Sequence, residues 1–263
     1  MVDPTLATYP GLLGFREVAG LRCAGGGCLR SGVLYRSGTP QFLDEPTARR
    51  LLSDTGIATT IDLRLPHEVD QEGRGPFDAL GVALRRHPVR VGAVVSATSA
   101  VAPMTGDDPV VATYLRYLDE EPRTFAAVAE ELARPGTAPA LVHCTVGKDR
   151  TGVMIALLLA AVGVPVEEIA AEYARGADEV PAAMERLRGM TSYGDAVDVY
   201  PPQTWVVEAD TISRFLHAVD DRHGGARAFL AAHGRVPHLL EQLEDLLVEP
   251  ATAQRFVAER RPS

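Results

Sequence analysis

The chain has 263 residues, 46% of them hydrophobic, enough apolar material to bury one sizeable core in a single domain over 1–263. Its net charge of −9 argues against general nucleic-acid binding and gives no reason to expect strong attraction to an acidic membrane surface. Three cysteines are too few for a disulfide-built scaffold.

In chain order, residues 1–36 read as an N-terminal hairpin segment with Gly-rich turns and a strand at 33–35. Cys23 and Cys28 bracket Ala24-Gly25-Gly26-Gly27, a flexible turn. Two isolated thiols there are the commoner case, with a disulfide or half a metal site as alternatives. Residues 45–53 predict a short helix, with Pro46 suited to its first turn. Strands follow at 59–63 and 84–89. Residues 92–108, rich in small and apolar types, are the best candidate for a mobile loop. Two amphipathic helices are expected over 109–119 and 123–133, then an apolar strand at 138–143. The apolar helix over 153–162 reads as central and buried. Its apolar stretch, to Val166, is too short to cross a bilayer, so no integral membrane association is expected. Helical patterns continue at 166–175, 180–188, 208–221, 225–232 and 236–247. Alternating strands and helices imply an α/β fold, a largely parallel sheet flanked by helices, with a helical C-terminal part.

The chemistry concentrates in His143-Cys144-Thr145-Val146-Gly147-Lys148-Asp149-Arg150-Thr151-Gly152. Cys144 and Arg150 have five residues between them, on a strand–loop–helix turn. There, successive backbone N–H groups and a helix N-terminus converge on one anion. A thiol at its reference pKa of about 8.5 is only a few per cent ionised at neutral pH, and a helix N-terminus with cationic neighbours favours the thiolate. Arg150 offers a planar fork to two phosphate oxygens. The amides of Thr145, Val146, Gly147 and Lys148 suit the remaining oxygen and the transition-state charge. Gly147 permits a backbone conformation that other residues resist. The Thr151 hydroxyl can donate to the sulfur, and His143 orients the loop. Against this stand two plainer readings: a buried core thiol, and a phosphate-binding module without turnover.

This stretch resembles the signature of the protein tyrosine phosphatase superfamily, in the form found in its microbial tyrosine/lipid phosphatase branch. Gly14-Phe15-Arg16-Glu17-Val18-Ala19-Gly20-Leu21 is similar to the branch's N-terminal segment, with Gly14 where Asn is usual. Gly32-Val33-Leu34-Tyr35-Arg36-Ser37-Gly38 and Ile61-Asp62-Leu63-Arg64, followed by Glu68, also match, as does the helical tail from Arg227 to Leu247. The resemblance implies a tyrosine-phosphatase-like fold and a cysteine-dependent phosphomonoester hydrolase. Phosphotyrosine is the leading substrate, with dual specificity or a phosphoinositide or inositol phosphate as alternatives. The partner is then a phosphorylated protein or a phosphoinositide.

The leaving oxygen needs a proton, and an aspartate is the usual donor. The only tryptophan, Trp205, precedes two valines, so the Trp-Pro-Asp loop of many tyrosine phosphatases is absent. Asp149 is the first candidate. Asp62, at a strand end, is the second, with a structural ion pair to an arginine as its equal alternative. Asp107 and Asp108 are third. Lys148 suits either a second acidic group on the substrate or the thiolate. No metal or cofactor is required, because Arg150 and the loop dipoles supply the positive charge. Residues 179–203, with Met184, Leu187 and Met190 at helical spacing and Tyr193, Tyr200 and Trp205 nearby, suit either a lid or ordinary packing. The opening residues lack a basic segment followed by an apolar core, so a cytoplasmic location is expected. Signal-less secretion occurs in the branch and stays open.

Overall fold

The structure, a computed structural model, describes residues 9–90, 108–199 and 202–251. In chain order its main elements are β1 (Arg16–Glu17), β2 (Cys28–Leu29), β3 (Leu34–Ser37), α1 (Glu45–Thr55), β4 (Thr59–Asp62), α2 (Pro66–Glu72) and β5 (Ala83–Arg86). They continue with α3 (Pro109–Glu120), α4 (Pro122–Ala133), β6 (Ala140–His143), α5 (Asp149–Ala161), α6 (Val166–Ala174) and α7 (Val180–Arg188). The chain then runs through α8 (Ala209–His223), α9 (Ala226–His233), α10 (Leu239–Leu247) and β7 (Val248–Glu249).

Local chemistry sets several boundaries. Asp44 caps α1 by accepting from the Thr47 N–H at 2.8 Å, and Gly56 closes it in the left-handed region. Asp108 caps α3 in the same way, accepting from the Val111 N–H at 3.1 Å. Pro109 and Pro122 stand in the first turns of α3 and α4, where a missing N–H costs nothing.

The central sheet has the order β1-β3-β6-β4-β5. β3, β6, β4 and β5 are mutually parallel, and β1 is antiparallel at the edge. The sheet is therefore mostly parallel and flanked by helices, as the alternation of elements implies. Ser37, His143 and Asp62 lie in register, so β3, β6 and β4 end together. The loops leaving that edge carry the candidate chemistry, as is usual for parallel sheets. α5 is apolar almost all round and is wrapped by α3, α6, α8 and α9. Its Val153–Leu159 run is fully buried, and the core is built around it.

Some expectations need correction. The N-terminal segment does form an antiparallel hairpin, but it is not self-contained. β1 pairs with β3, while β2 pairs with β7 from the far end of the chain. The Gly-rich turn is closed locally by backbone hydrogen bonds, among them Cys23 N–H to the Gly27 carbonyl and Leu29 N–H to the Leu21 carbonyl, and Cys23 and Cys28 are free thiols. The strand expected over 84–89 is Ala83–Arg86, although the Val89 N–H still donates to the Leu63 carbonyl at 3.1 Å. The last helix begins at Leu239 rather than 236, because His238 adopts a left-handed φ of 56°. α2 has no counterpart in the sequence reading. The proposed mobile loop lies, apart from Asp108, outside the described residues. Among the described residues, no helix is long and apolar enough to cross a membrane.

Candidate active site

β6 delivers His143 and Cys144 to the edge of the sheet, and the chain turns through five residues into α5. The Gly147 N–H donates to Cys144 Sγ at 3.2 Å, and Cys144 is buried. Gly147 has φ +82°, and a Cβ there would lie 2.5 Å from the Ser37 carbonyl carbon and oxygen. The loop thus packs directly on the end of β3, and only glycine fits. From that strand end, the Thr39 N–H donates to the Thr145 carbonyl at 2.9 Å. Behind the cysteine, His143 Nδ1 donates to the Cys144 carbonyl at 3.3 Å. Burial pushes the His143 imidazole down to about 4, outweighing the pull of Asp62, so the ring is neutral at pH 7.

Arg150 projects from the first turn of α5 and is gripped by Glu68 of α2. Its Nη1 and Nη2 meet the two carboxylate oxygens at 2.7 and 2.9 Å. Nη1 also donates to the Leu63 carbonyl, and Nη2 to the hydroxyls of Thr145 and Tyr193. Glu68 is fully buried. Burial pushes its carboxyl up, but the Arg150 charge and hydrogen bonds from Arg150, Thr145 and Tyr193 outweigh that and hold it at about 2.

A second ion cluster supports the loop from the other side. Glu172 of α6 accepts from Arg16 Nε and Arg36 Nη1, both at 2.7 Å. Arg36 Nη2 donates to the Gly147 carbonyl at 2.7 Å, tying the cluster to the phosphate loop. Four cations, Arg16, Arg36, Lys148 and Arg150, therefore face three carboxylates, Glu68, Asp149 and Glu172. The folded chain thus gathers cations around the loop in a molecule of net charge −9, and they balance the carboxylates together with a Cys144 thiolate.

Asp149 opens α5, and its side chain is 30% exposed, the most accessible carboxylate at the loop. Its Oδ1 accepts from the Tyr114 hydroxyl at 2.7 Å and from Lys148 Nζ. Lys148 is buried and turned onto Asp149 rather than outward. Burial lowers the Lys148 ammonium, but the Asp149 charge raises it further. Asp62 is fully buried and gripped by Arg64 at 2.8 Å, in the ion pair that was its alternative reading. Burial raises its carboxyl, and the charges around it bring it below the ordinary range. With His143 neutral, Arg64 supplies that charge at pH 7. Asp108 is occupied as the cap of α3, and Asp107 lies outside the described residues. The Thr151 hydroxyl is buried on the first turn of α5, without a hydrogen-bond partner among the described residues.

Residues 179–199 pack across the loop. Leu187, Met190, Tyr193 and Val197 form a small apolar cluster against Val146, with Trp205 beside it. The Tyr193 hydroxyl reaches Arg150 at 3.1 Å and also bonds to Glu68. Ser192 ties the segment to α2, its N–H donating to Glu72 at 2.7 Å. The sequence alone placed Glu68 only by resemblance, and it gave no role to Tyr114, Tyr173 or Glu172. These residues sit in amphipathic helices, where a buried polar tip looks like an ordinary core position.

A profile of the tyrosine phosphatase family matches residues 7–249. The chain belongs to the tyrosine phosphatase family, whose members hydrolyse phosphate monoesters through a cysteine. It is 32% identical over 205 residues to the triple specificity protein phosphatase PtpB of Mycobacterium tuberculosis, covering 69% of this chain and 72% of that one. It is 29% identical over 222 residues to a putative tyrosine-protein phosphatase of Cupriavidus necator, covering 82% and 79%. Among solved structures it is similar to the catalytic core of Siw14, with a TM-score of 0.39 and 18% identity over 73% of this chain and 91% of that one.

Proposed function

We propose that this phosphatase acts on phosphotyrosine in proteins, with Cys144 as nucleophile, Arg150 as phosphate clamp and Asp149 as general acid and base. The observation that carries the reading is the Gly147 N–H aimed at Cys144 Sγ, with Arg150, six positions after the cysteine, held ready by Glu68. The amides of Thr145, Val146, Gly147 and Lys148, with Arg150, bind the phosphate oxygens. Cys144 Sγ attacks phosphorus in line, and the P–O bond to the leaving group breaks as Asp149 gives its proton to that oxygen. Water then attacks the thiophosphate, Asp149 takes its proton, and the S–P bond breaks with phosphate released. Thr151, whose hydroxyl has no other partner among the described residues, donates to the departing thiolate. Asp62 holds Arg64 and orders the strand end, rather than moving a proton.

Residues 179–203 serve in this reading as a cover that excludes water and shields the thiolate, with Tyr193 as its contact to Arg150. Lys148 spends its charge on Asp149, which removes the main reason to expect a second phosphate contact from it. The printed triple specificity of the mycobacterial relative makes phosphoserine/threonine peptides and phosphoinositides the substrates to compare.

The test is phosphate release from a phosphotyrosine peptide, a phosphoserine peptide and a phosphoinositide, by wild type and Cys144→Ser. The expected result is the highest kcat/KM on phosphotyrosine, with the cysteine variant inactive but still binding phosphopeptide. Phosphoinositide turnover tenfold faster than phosphotyrosine turnover would overturn the substrate assignment. Undiminished activity in Cys144→Ser would overturn the mechanism.

A further inference from the structure

We propose that Tyr114 and Tyr173, together with Lys148, are positioning residues that fix one oxygen of the Asp149 carboxylate, so that the other oxygen exchanges the proton. The inference rests on Asp149 as the general acid and base of the proposed function.

Tyr114 comes from the middle of α3 and Tyr173 from the end of α6. Their hydroxyls are 2.7 Å apart, and the Tyr114 hydroxyl is 2.7 Å from Asp149 Oδ1. A carboxylate only accepts, so Tyr114 must donate to Asp149 and is left to accept from Tyr173. The direction of the chain is therefore fixed: Tyr173 to Tyr114 to Asp149. Lys148 Nζ donates to the same oxygen. Among the described residues, no donor reaches Oδ2. With its lone pairs already engaged, Oδ1 is the poorer proton site, and the exchange falls to Oδ2 on a carboxylate that keeps partial exposure.

Two features show that the arrangement is built rather than incidental. The Tyr114 ring is wedged edge-on against Phe215, with centroids 6.0 Å apart, and it stacks on Tyr117. Tyr173 reaches Tyr114 across the first turn of α5 only because residue 152 is glycine, where a Cβ would stand 2.8 Å from the tyrosine ring. Burial and the Asp149 charge push the Tyr114 hydroxyl well above its ordinary value of 10, so it stays a donor throughout the working range.

The experiment measures kcat/KM on aryl phosphates of graded leaving-group basicity, from p-nitrophenyl phosphate to phenyl phosphate. It uses wild type, Tyr114→Phe, Tyr173→Phe, Asp149→Asn and the Tyr114→Phe/Asp149→Asn double variant, with vanadate affinity as the check on loop integrity. Asp149→Asn should lose progressively more as the leaving group becomes more basic. Tyr114→Phe should show the same trend at smaller size, about tenfold on phenyl phosphate, the effect of one hydrogen bond to a charged group. It should be nearly silent on p-nitrophenyl phosphate. Tyr173→Phe should follow with a smaller loss, and Tyr114→Phe should add nothing in the Asp149→Asn background. A uniform loss across all leaving groups in Tyr114→Phe, or a full multiplicative loss in the double variant, would overturn the positioning role. No leaving-group trend in Asp149→Asn would instead overturn the acid assignment, and the inference with it.

Discussion

Glu68 shows what a single buried carboxylate does at this site. An arginine fork beside a thiolate can swing, and Glu68 removes that freedom by holding both terminal nitrogens. The guanidinium plane is then fixed before substrate arrives, which lowers the ordering cost of binding, and a phosphate oxygen takes the place of the Thr145 and Tyr193 hydroxyls on Nη2. The same pair is a stability element with a defined pH signature. Its folded-state value of about 2 lies below the ordinary 4.5, so its contribution is fully present above about pH 4.5 and is lost as pH falls through about 2. The shift corresponds to about 3 kcal/mol. Glu68→Gln should therefore unfold about 3 kcal/mol more easily at pH 7, because Arg150 is left partly uncompensated in a buried place. The gap to wild type should close on acidification toward pH 2. Urea unfolding at stepped pH checks this, and a gap independent of pH would show that the ionised carboxylate is not the source. Glu68 was visible in the sequence only as a position in a resemblance. Nothing local says that an acid in a seven-residue helix pairs with an arginine 82 positions away.

Among the elements, those with a long apolar period were legible and those fixed by distant partners were not. The α7 range was read from its sequence to the residue, and α5 announced itself by its uninterrupted apolar run. The N-terminal hairpin that joins β1 to β3 was legible from its Gly-rich turns, whereas the strand that β2 pairs with was not. That strand, β7, comes from the far end of the chain and forms a separate two-stranded sheet with β2. The loop–strand contact at Gly147 belongs to this scale, because it joins β3 to the start of α5. Gly147→Ala would put a methyl group 2.5 Å from the Ser37 carbonyl, so the loop must move off the strand and lose the Arg36 contact to its carbonyl. Losing two loop donors to a bound oxyanion, at roughly 1.5 kcal/mol each, predicts a fall in vanadate affinity of about 100-fold. Gly25→Ala, where a Cβ would meet nothing within 4 Å, should leave the affinity unchanged. Titration calorimetry with vanadate on both variants decides the matter, and equal affinities would mean that the loop adapts without losing its geometry.

For the whole molecule, the net charge repels a phosphate that the Arg150 fork and the loop amides attract at contact. The −9 was readable from composition, whereas the gathering of cations around the loop was not. Arg16 and Arg36 reach the phosphate loop through Glu172 and the Gly147 carbonyl, and they join Lys148 and Arg150 only in the folded chain. An approaching phosphopeptide therefore meets repulsion at long range and attraction at contact. Salt separates the two, because screening acts over a Debye length of about 10 Å at 0.1 M and hardly touches charges in contact with the bound phosphate. Raising sodium chloride from about 0.02 to 0.2 M should accordingly increase kcat/KM for a phosphotyrosine peptide with acidic flanks, by roughly twofold. A peptide with basic flanks is attracted at long range, so its kcat/KM should fall over the same interval. Stopped-flow measurement with both peptides tests the argument. A fall with salt for the acidic peptide would mean that the site's own field dominates even at a distance, and that the net charge of the chain plays no part in substrate approach.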